Sequence, residues 1–307
     1  MFRLVLERPE KMTESLQGIL LKCIGGFYYV EAADAVYECR ARGIFRKQEM
    51  TPLAGDRVQI TPQEDGTGSL DAVEPRRNSL VRPPVANIDI LLVVASVADP
   101  APNLLVLDKM IAIAEYKNIE PVIVVNKCDL KPGDQLEDIY RRAGLQVIVL
   151  SAGSGEGIPE LHKCIAGKLS VLTGNSGVGK SSLLNRIDPK LGLETGKVSR
   201  KLGRGRHTTR AACLYPLAGG GYIVDTPGFS SLDMEKAERI PKEYLADCFR
   251  EFGRLSGKCK YASCTHEKEE GCAILEAVKK GEIAPSRQEN YAAMYREARE
   301  RKEWEYK

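Results

Sequence analysis

No stretch of this chain stays apolar long enough to cross a bilayer. The longest apolar run, Ile88 to Ala98, carries Asp89 and falls far short of the roughly 20 residues that a spanning helix needs. The opening residues, MFRLVLERPEK, are charged and hold no apolar signal core. Strong charge of either sign is missing too: a net charge of +3 over 307 residues gives no ground for nucleic-acid binding from the total, so any basic surface has to be argued locally. Paired cysteines are also lacking. Six of the nine (Cys23, Cys39, Cys128, Cys164, Cys213 and Cys248) stand singly, unlike a secreted disulfide scaffold. These absences point to reduced thiols and a cytoplasmic chain with no membrane partner. The length suits about two domains of roughly 150 residues, so a third needs its own support.

The expected fold class is multidomain: an OB-type β-barrel over 1–79, an α/β domain over 80–235 and a helical metal-binding module over 236–307. The barrel rests on short strand-like runs (GILLKCIGGFYYV, AVYECRARGIF, DRVQITP, SLDAVEP) separated by glycine-rich turns. Lys22, Arg40, Arg42, Arg46 and Lys47 with Tyr28, Tyr29 and Phe45 suit single-stranded nucleic acid; equally, the aromatics fill the interior and the charges face solvent. The segment EPRRNSLVRPP reads as a stiff basic linker. Beyond it, apolar runs (IDILLVVASVA, PVIVVNK, QVIVLSA, LSVLTG, GYIVDTPG) alternate with helical stretches, which implies a parallel sheet covered on both faces. The last helix is expected to start with a capping box, Ser286 with Glu289, and its arginines, matched by glutamates, to form a solvated face.

Ligands of such sheets bind beyond the carboxyl ends of the strands, where four motifs sit. GNSGVGKS (Gly174, Asn175, Ser176, Gly177, Val178, Gly179, Lys180, Ser181, with Ser182 following) fits the phosphate loop G-x-x-x-x-G-K-[ST]. Its glycines let backbone amides wrap phosphates, Lys180 reaches the β- and γ-phosphates and Ser181 ligates Mg²⁺. NKCD (Asn126, Lys127, Cys128, Asp129) selects guanine, because Asp129 accepts the N1 and N2 protons that adenine lacks, while Asn126 holds the other edge of the base and the Lys127 stem covers its face. Ser151 and Ala152 end the next strand beside it. DTPG supplies Asp225 toward Mg²⁺ and the Gly228 amide toward the γ-phosphate. Many GTPases carry a water-orienting glutamine next, but here Phe229 follows, so intrinsic hydrolysis should be slow. Lys197 to Arg210 contains six Lys and Arg and no acid. Of its two threonines Thr209, nearer the following strand, is favoured over Thr208 as the Mg²⁺ ligand; His207 orients water, donates to a phosphate or merely faces solvent. The base-reading motifs precede the phosphate loop, the reverse of the usual order, so the domain reads as a circularly permuted GTPase.

Cys259, Cys264, His266 and Cys272 follow C-x₄-C-x-H-x₅-C. Three thiolates and an imidazole complete a tetrahedron with no open position, hence one structural zinc.

In GNSGVGKS, NKCD, GRHTTR, DTPGF and the Cys/His pattern, taken in this order after a barrel, the chain resembles the ribosome small subunit-dependent GTPase A family of bacteria. Only residues 1–11 lie outside the resemblance, and Met12 is a candidate start. The resemblance implies a GTPase that uses GTP with Mg²⁺, binds the small (30S) ribosomal subunit and its rRNA, assists late maturation and leaves after hydrolysis. It also implies that His207 takes part in subunit-stimulated turnover, so that His207, Lys180 and Thr209 form the candidate catalytic set. A monomer is expected. Two other classes compete: an RNA-binding adaptor with negligible turnover, favoured by Phe229, and a phosphotransferase acting on a metabolite, disfavoured by NKCD.

Overall fold

The protein is described by a computed structural model covering residues 15–41, 50–191, 212–225 and 231–301. It divides into two compact units, Met1–Arg76 and Arg77–Lys307.

In the first unit, β1 (Leu16–Ile24), β2 (Phe27–Ala32), β3 (Ala35–Ala41), β5 (Thr67–Val73) and β4 (Arg57–Pro62) neighbour one another in that order. β4 also pairs with β1, closing the ring as an OB-type barrel. Alternation drives the closure: Val58 and Ile60 point inward while Arg57 and Gln59 face out. Leu20, Val30, Cys39, Val58, Ile60 and Leu70 fill the interior. Each such burial contributes about 1.5–3 kcal/mol. The described aromatics are not the main filling. Tyr28 packs only partly against this core. The Tyr29 hydroxyl donates to Glu38 at 2.9 Å, and the Lys22 ammonium lies 4.5 Å from the Tyr29 ring centroid. Arg42, Phe45, Arg46 and Lys47 lie outside the described residues.

The expected stiff linker is instead folded. Arg76 grips Asp56 of the barrel through two nitrogens, at 2.7 and 2.8 Å. In the second unit, β6 (Ser79–Leu80) pairs with β7 (Val85–Ala86), burying Leu80 and Val85, and Arg77 binds Asp89 at 2.8 Å. Arg76 and Arg77 each meet a carboxylate.

The main sheet of the second unit runs β10 (Gln146–Val149), β9 (Glu120–Asn126), β8 (Ile90–Ser96), β11 (Leu169–Gly174), β13 (Tyr222–Asp225), β12 (Cys213–Pro216). All are parallel except β12, which pairs antiparallel with β13. β8 and β11 are buried along their whole length, as strands covered on both faces must be. On one face α3 (Ile158–Ile165) and α4 (Lys180–Ile187) share a core with Ile90, Leu92, Val124, Ile148 and Leu172. On the other face α1 (Leu104–Tyr116) meets the sheet, with the Thr173 hydroxyl 3.8 Å from the Met110 sulfur. α2 (Asp134–Arg142) lies between β9 and β10 in the chain. From β8 the chain first builds β9 and β10 outward, then returns through α3 to β11 beside β8. That reversal makes the carboxyl ends of β8 and β11 the crevice of the sheet.

Five further α-helices follow among the described residues: α5 (Ser231–Ala237), α6 (Lys242–Leu245), α7 (Arg250–Gly253), α8 (Ala273–Lys279) and α9 (Pro285–Glu300). The expected capping box of α9 does not form. Proline has no N–H to lose and a φ already suited to the first helical position, so the helix opens on Pro285 with Ala284 as its cap residue and Ser286 inside the first turn. The solvated face is only partly as expected. Arg296 and Arg299 share Glu267 at 3.7 and 3.6 Å, but Arg287 is 1% exposed, held by Asp108 of α1 at 2.6 Å and Glu251 of α7 at 2.7 Å.

Candidate functional site

The phosphate loop runs from the end of β11 into α4. Gly174 (φ 148°) and Gly179 (φ 98°) are required twice over: both lie at positive φ, and a Cβ would collide with the Val94 carbonyl oxygen and the Asn126 amide respectively. The backbone can therefore fold back tightly and present its amides. Lys180, on the first turn of α4, donates to the carbonyls of Gly174 at 2.7 Å and Asn175 at 2.8 Å. Burial lowers its pKa to about 8, so an anion beside it would be stabilised by restoring the full charge. Asn175, Ser181 and Ser182 are half-buried around it, Ser176 and Gly177 exposed, and Val178 is packed into the core below.

The base-reading residues come from β9 and β10, and Asn126 joins them to the phosphate loop. Its Nδ2 donates to the Val178 carbonyl at 2.8 Å, while its Oδ1 accepts from the amides of Lys127 at 2.8 Å and Ala152 at 3.0 Å. The amide is 1% exposed and holds three segments at once, leaving one Nδ2 hydrogen for a ligand. Lys127, at φ 68°, reaches back over the crevice to the carbonyls of Asp99 and Gly177, the latter at 2.9 Å. Its ammonium is thereby tied to the phosphate loop as well as to the loop after β8. Asp129 is exposed and accepts from the Ser151 hydroxyl at 2.5 Å; that hydroxyl also accepts from the amides of Gly153 and Ser154 at 3.1 and 3.0 Å. The Cys128 thiol is turned to Glu156, 3.9 Å away, and burial with that carboxylate raises its pKa. The bracing by Asn126 was invisible in the sequence, since its partners are backbone atoms.

Asp225 is the last residue of β13, which pairs with the phosphate-loop strand. His207, Thr208, Thr209, Gly228 and Phe229 lie outside the described residues.

The four Cys/His side chains come together between α7 and α8. Their ligand atoms all lie within 4.8 Å of one another. His266 Nδ1 is 3.6 Å from the Cys259 sulfur and 3.4 Å from the Cys272 sulfur, whereas a tetrahedral zinc with bonds of about 2.3 Å to sulfur and about 2.0 Å to nitrogen sets that edge near ~3.5 Å. The residues fit the ion. Burial, with Cys272 and Cys259 beside it, pushes the Cys264 thiol up to about 12, a shift that a dication would reverse by favouring thiolate, and burial lowers His266, keeping the imidazole neutral as a ligand must be. His266 adopts φ 61°, and Gln288 of α9 fixes its carbonyl at 2.8 Å. The Ala273 amide donates to the Cys259 sulfur at 3.4 Å, an outer partner that favours thiolate.

Sequence reasoning missed three charged groups. Arg186 on α4 donates to the carbonyls of Ala152 at 2.8 Å and Gly153 at 2.6 Å. Arg287, with Asp108 and Glu251, joins the helical module to α1; burial works against its charge but the two carboxylates more than offset it, so the guanidinium stays ionised. Lys109 of α1 likewise pairs with Glu235 of α5 and, at 2.8 Å, with Glu297 of α9.

A parallel sheet whose base-reading strands precede its phosphate-loop strand in the chain, yet lie on the same sheet with only β8 between, defines a circularly permuted P-loop GTPase domain. Residues 73–235 match the RsgA GTPase family and residues 17–70 the RsgA N-terminal domain. A curated relative named small ribosomal subunit biogenesis GTPase RsgA, from Caldanaerobacter subterraneus subsp. tengcongensis, is 43% identical over 96% of this chain and 99% of its own. Among solved structures, YjeQ from Thermotoga maritima is 37% identical with a TM-score of 0.79, covering 94% of this chain and 100% of that one. YloQ, described as a circularly permuted GTPase, is 33% identical with a TM-score of 0.78, covering 96% and 99%. The chain belongs to the RsgA GTPase family.

Proposed function

We propose that this protein hydrolyses GTP in the maturation of the small ribosomal subunit, acting as a cytoplasmic monomer that binds the subunit and its rRNA and departs after hydrolysis. The observation that carries the guanine-nucleotide site is the Asn126 amide, which fastens the Val178 carbonyl of the phosphate loop to the Ala152 amide of the base-reading loop. The name of the curated relatives supports the ribosomal role. No helix among the described residues is long and apolar enough to cross a membrane.

In this reading Asp129 takes the N1 and N2 protons of guanine, and Asn126, Lys127, Cys128, Ser151 and Ala152 frame the base. Gly174 to Ser182 wrap the phosphates, with Lys180 between them. Ser181, Thr209 and Asp225 hold Mg²⁺, which when bound with the nucleotide neutralises charge on the β- and γ-phosphates. Cys259, Cys264, His266 and Cys272 hold one structural zinc. The working segments are 1–79 for RNA, 80–235 for GTP and 236–307 around zinc. The second switch leads through residues 226–230 straight into α5, whose Glu235 is paired with Lys109, giving the nucleotide state a short path to the zinc-bearing helices.

Phe229 stands where a water-orienting glutamine is common, so His207, in a strongly basic segment suited to phosphate backbones, supplies the stimulated step. Hydrolysis should be slow alone and rise steeply with isolated small subunits. His207→Ala should lose that rise while GTP affinity stays within about threefold. Full stimulation in the variant removes His207 from the mechanism; no stimulation in the unmodified protein removes the subunit-dependent enzyme and leaves an adaptor.

A further inference from the structure

Arg186 belongs to the helix that carries the phosphate loop, yet its guanidinium is engaged on the other half of the site. Two of its nitrogens donate to the consecutive carbonyls of Ala152 and Gly153, at 2.8 and 2.6 Å. The residue is exposed and makes no ion pair with a carboxylate among the described residues. The guanidinium meets the two carbonyls with separate nitrogens, Nε and Nη2, held in one rigid plane, which fixes their relative orientation. The loop it grips turns through Gly155 and Gly157, both at positive φ, and is held at its other side by Ser151. Ala152 presents its amide toward Asn126 from one side of its peptide chain while its carbonyl is pinned by Arg186 from the other.

We propose that Arg186 is a positioning residue for the guanine base. It orients the base-reading loop from the helix of the phosphate loop, so that the two recognition elements are held as one part. The inference rests on the guanine-nucleotide reading of the site, and it assigns Arg186 to discrimination between bases rather than to phosphate binding. Lys180, Ser181 and the loop glycines do not depend on it.

The test compares GDP and ADP affinities, measured by competition, in the unmodified protein, Arg186→Ala and Arg186→Lys. Arg186→Ala should weaken GDP roughly tenfold, equivalent to about 1.4 kcal/mol, and leave ADP within about twofold, so that the GDP/ADP ratio falls. Arg186→Lys, which keeps the charge but loses the rigid plane of separate nitrogens, should recover part of the ratio and carries the same test if the alanine variant folds poorly. In turnover with small subunits, KM for GTP should rise with kcat unchanged. An unaltered GDP/ADP ratio overturns the inference, as does an equal loss of GDP and ADP, which would mark general damage to the loop. If the unmodified protein binds ADP as tightly as GDP, the guanine reading itself fails, an outcome distinct from either.

Discussion

Replacing Arg287 with alanine should detach the zinc-bearing helices from the GTPase core. The guanidinium is 1% exposed and lies between Asp108 (0%) and Glu251 (4%), with Asn290 on the second Asp108 oxygen at 2.6 Å and the Phe249 ring centroid 4.4 Å away. Removing the cation leaves two buried carboxylates with no counter-charge, and breaking one such pair from one side costs about 3–5 kcal/mol. Part of that loss is relieved by protonation. Burial already pushes the Asp108 carboxyl up, opposed by Arg287 and Asn290, and without Arg287 it goes higher still. The folded variant then binds a proton that the unfolded chain releases above its ordinary carboxylate pKa. Its stability should therefore fall as the pH rises from about 4 towards neutrality, more steeply than in the unmodified protein. Hydrogen exchange of the α9 amides between pH 5 and 8 reads this directly, and avoids assuming two-state unfolding for a chain of several parts. Adding Asp108→Asn to Arg287→Met should recover about 1–2 kcal/mol and flatten the extra pH dependence, because the group that titrates is gone. Equal protection of α9 in Arg287→Ala and the unmodified protein would refute the reasoning.

Asp129→Asn should exchange guanine for xanthine, weakening GTP about a hundredfold, the weight of two charge-assisted hydrogen bonds at about 1.5 kcal/mol each, while Ser151 keeps an acceptor. Matched titrations with GDP and XDP check it, and equal affinities in the variant and parent would sink it. Cys264→Ser should lose zinc and loosen residues after about Cys248, while GDP binding survives; metal analysis finding the same zinc content in variant and parent contradicts this. Lys180, held near 8 by burial, sets a pH limit on nucleotide binding. Below about 8 it is charged with or without phosphates; above, binding must restore a proton, so GDP affinity should drop by up to about tenfold per pH unit. Calorimetry in two buffers of different ionisation enthalpy should show proton uptake at pH 9 and little at pH 7.

Much of the site is legible because its geometry tolerates few residue types. Gly174 and Gly179 stand where a Cβ has no room, and Asp129 is the acceptor that guanine needs. Cys259, Cys264, His266 and Cys272 are close enough in sequence for spacing alone to suggest a shared ion. What stays hidden follows one physical rule: a side chain bonded to backbone leaves no mark on its partner. Asn126 finds the Val178 carbonyl and Arg186 finds the Ala152 carbonyl, and any residue type could have supplied those oxygens. Arg287 hides for another reason. Its helix is rich in matched charges, so it reads as surface, and its partner Asp108 lies 179 positions earlier. The capping box fails because Pro285, one residue before Ser286, is the stronger starting signal. The basic linker misleads because proline and arginine suggest an extended chain, whereas the carboxylates that pair with Arg76 and Arg77 stand outside the segment, Asp56 20 positions before and Asp89 12 positions after.

The turn from α3 into β11 is short: Ala166 to Lys168, with Gly167 at φ 70° and its amide bonded to the Gly220 carbonyl at 3.0 Å. It has a consequence for the newborn chain. As synthesis proceeds, β8, β9 and β10 emerge with Lys127, Asp129 and Ser151 already in place, before the first phosphate-binding residue exists. Asn126 must wait for Val178, 52 residues behind it, before its buried amide has that partner. Nucleotide therefore cannot stabilise the half-made domain, and the first moment at which it can is the arrival of α4 behind the phosphate loop. A ribosome-bound chain arrested shortly before Gly174 would be blind to GTP, whereas one arrested past Ile187 would carry the brace and the first complete cradle for a phosphate.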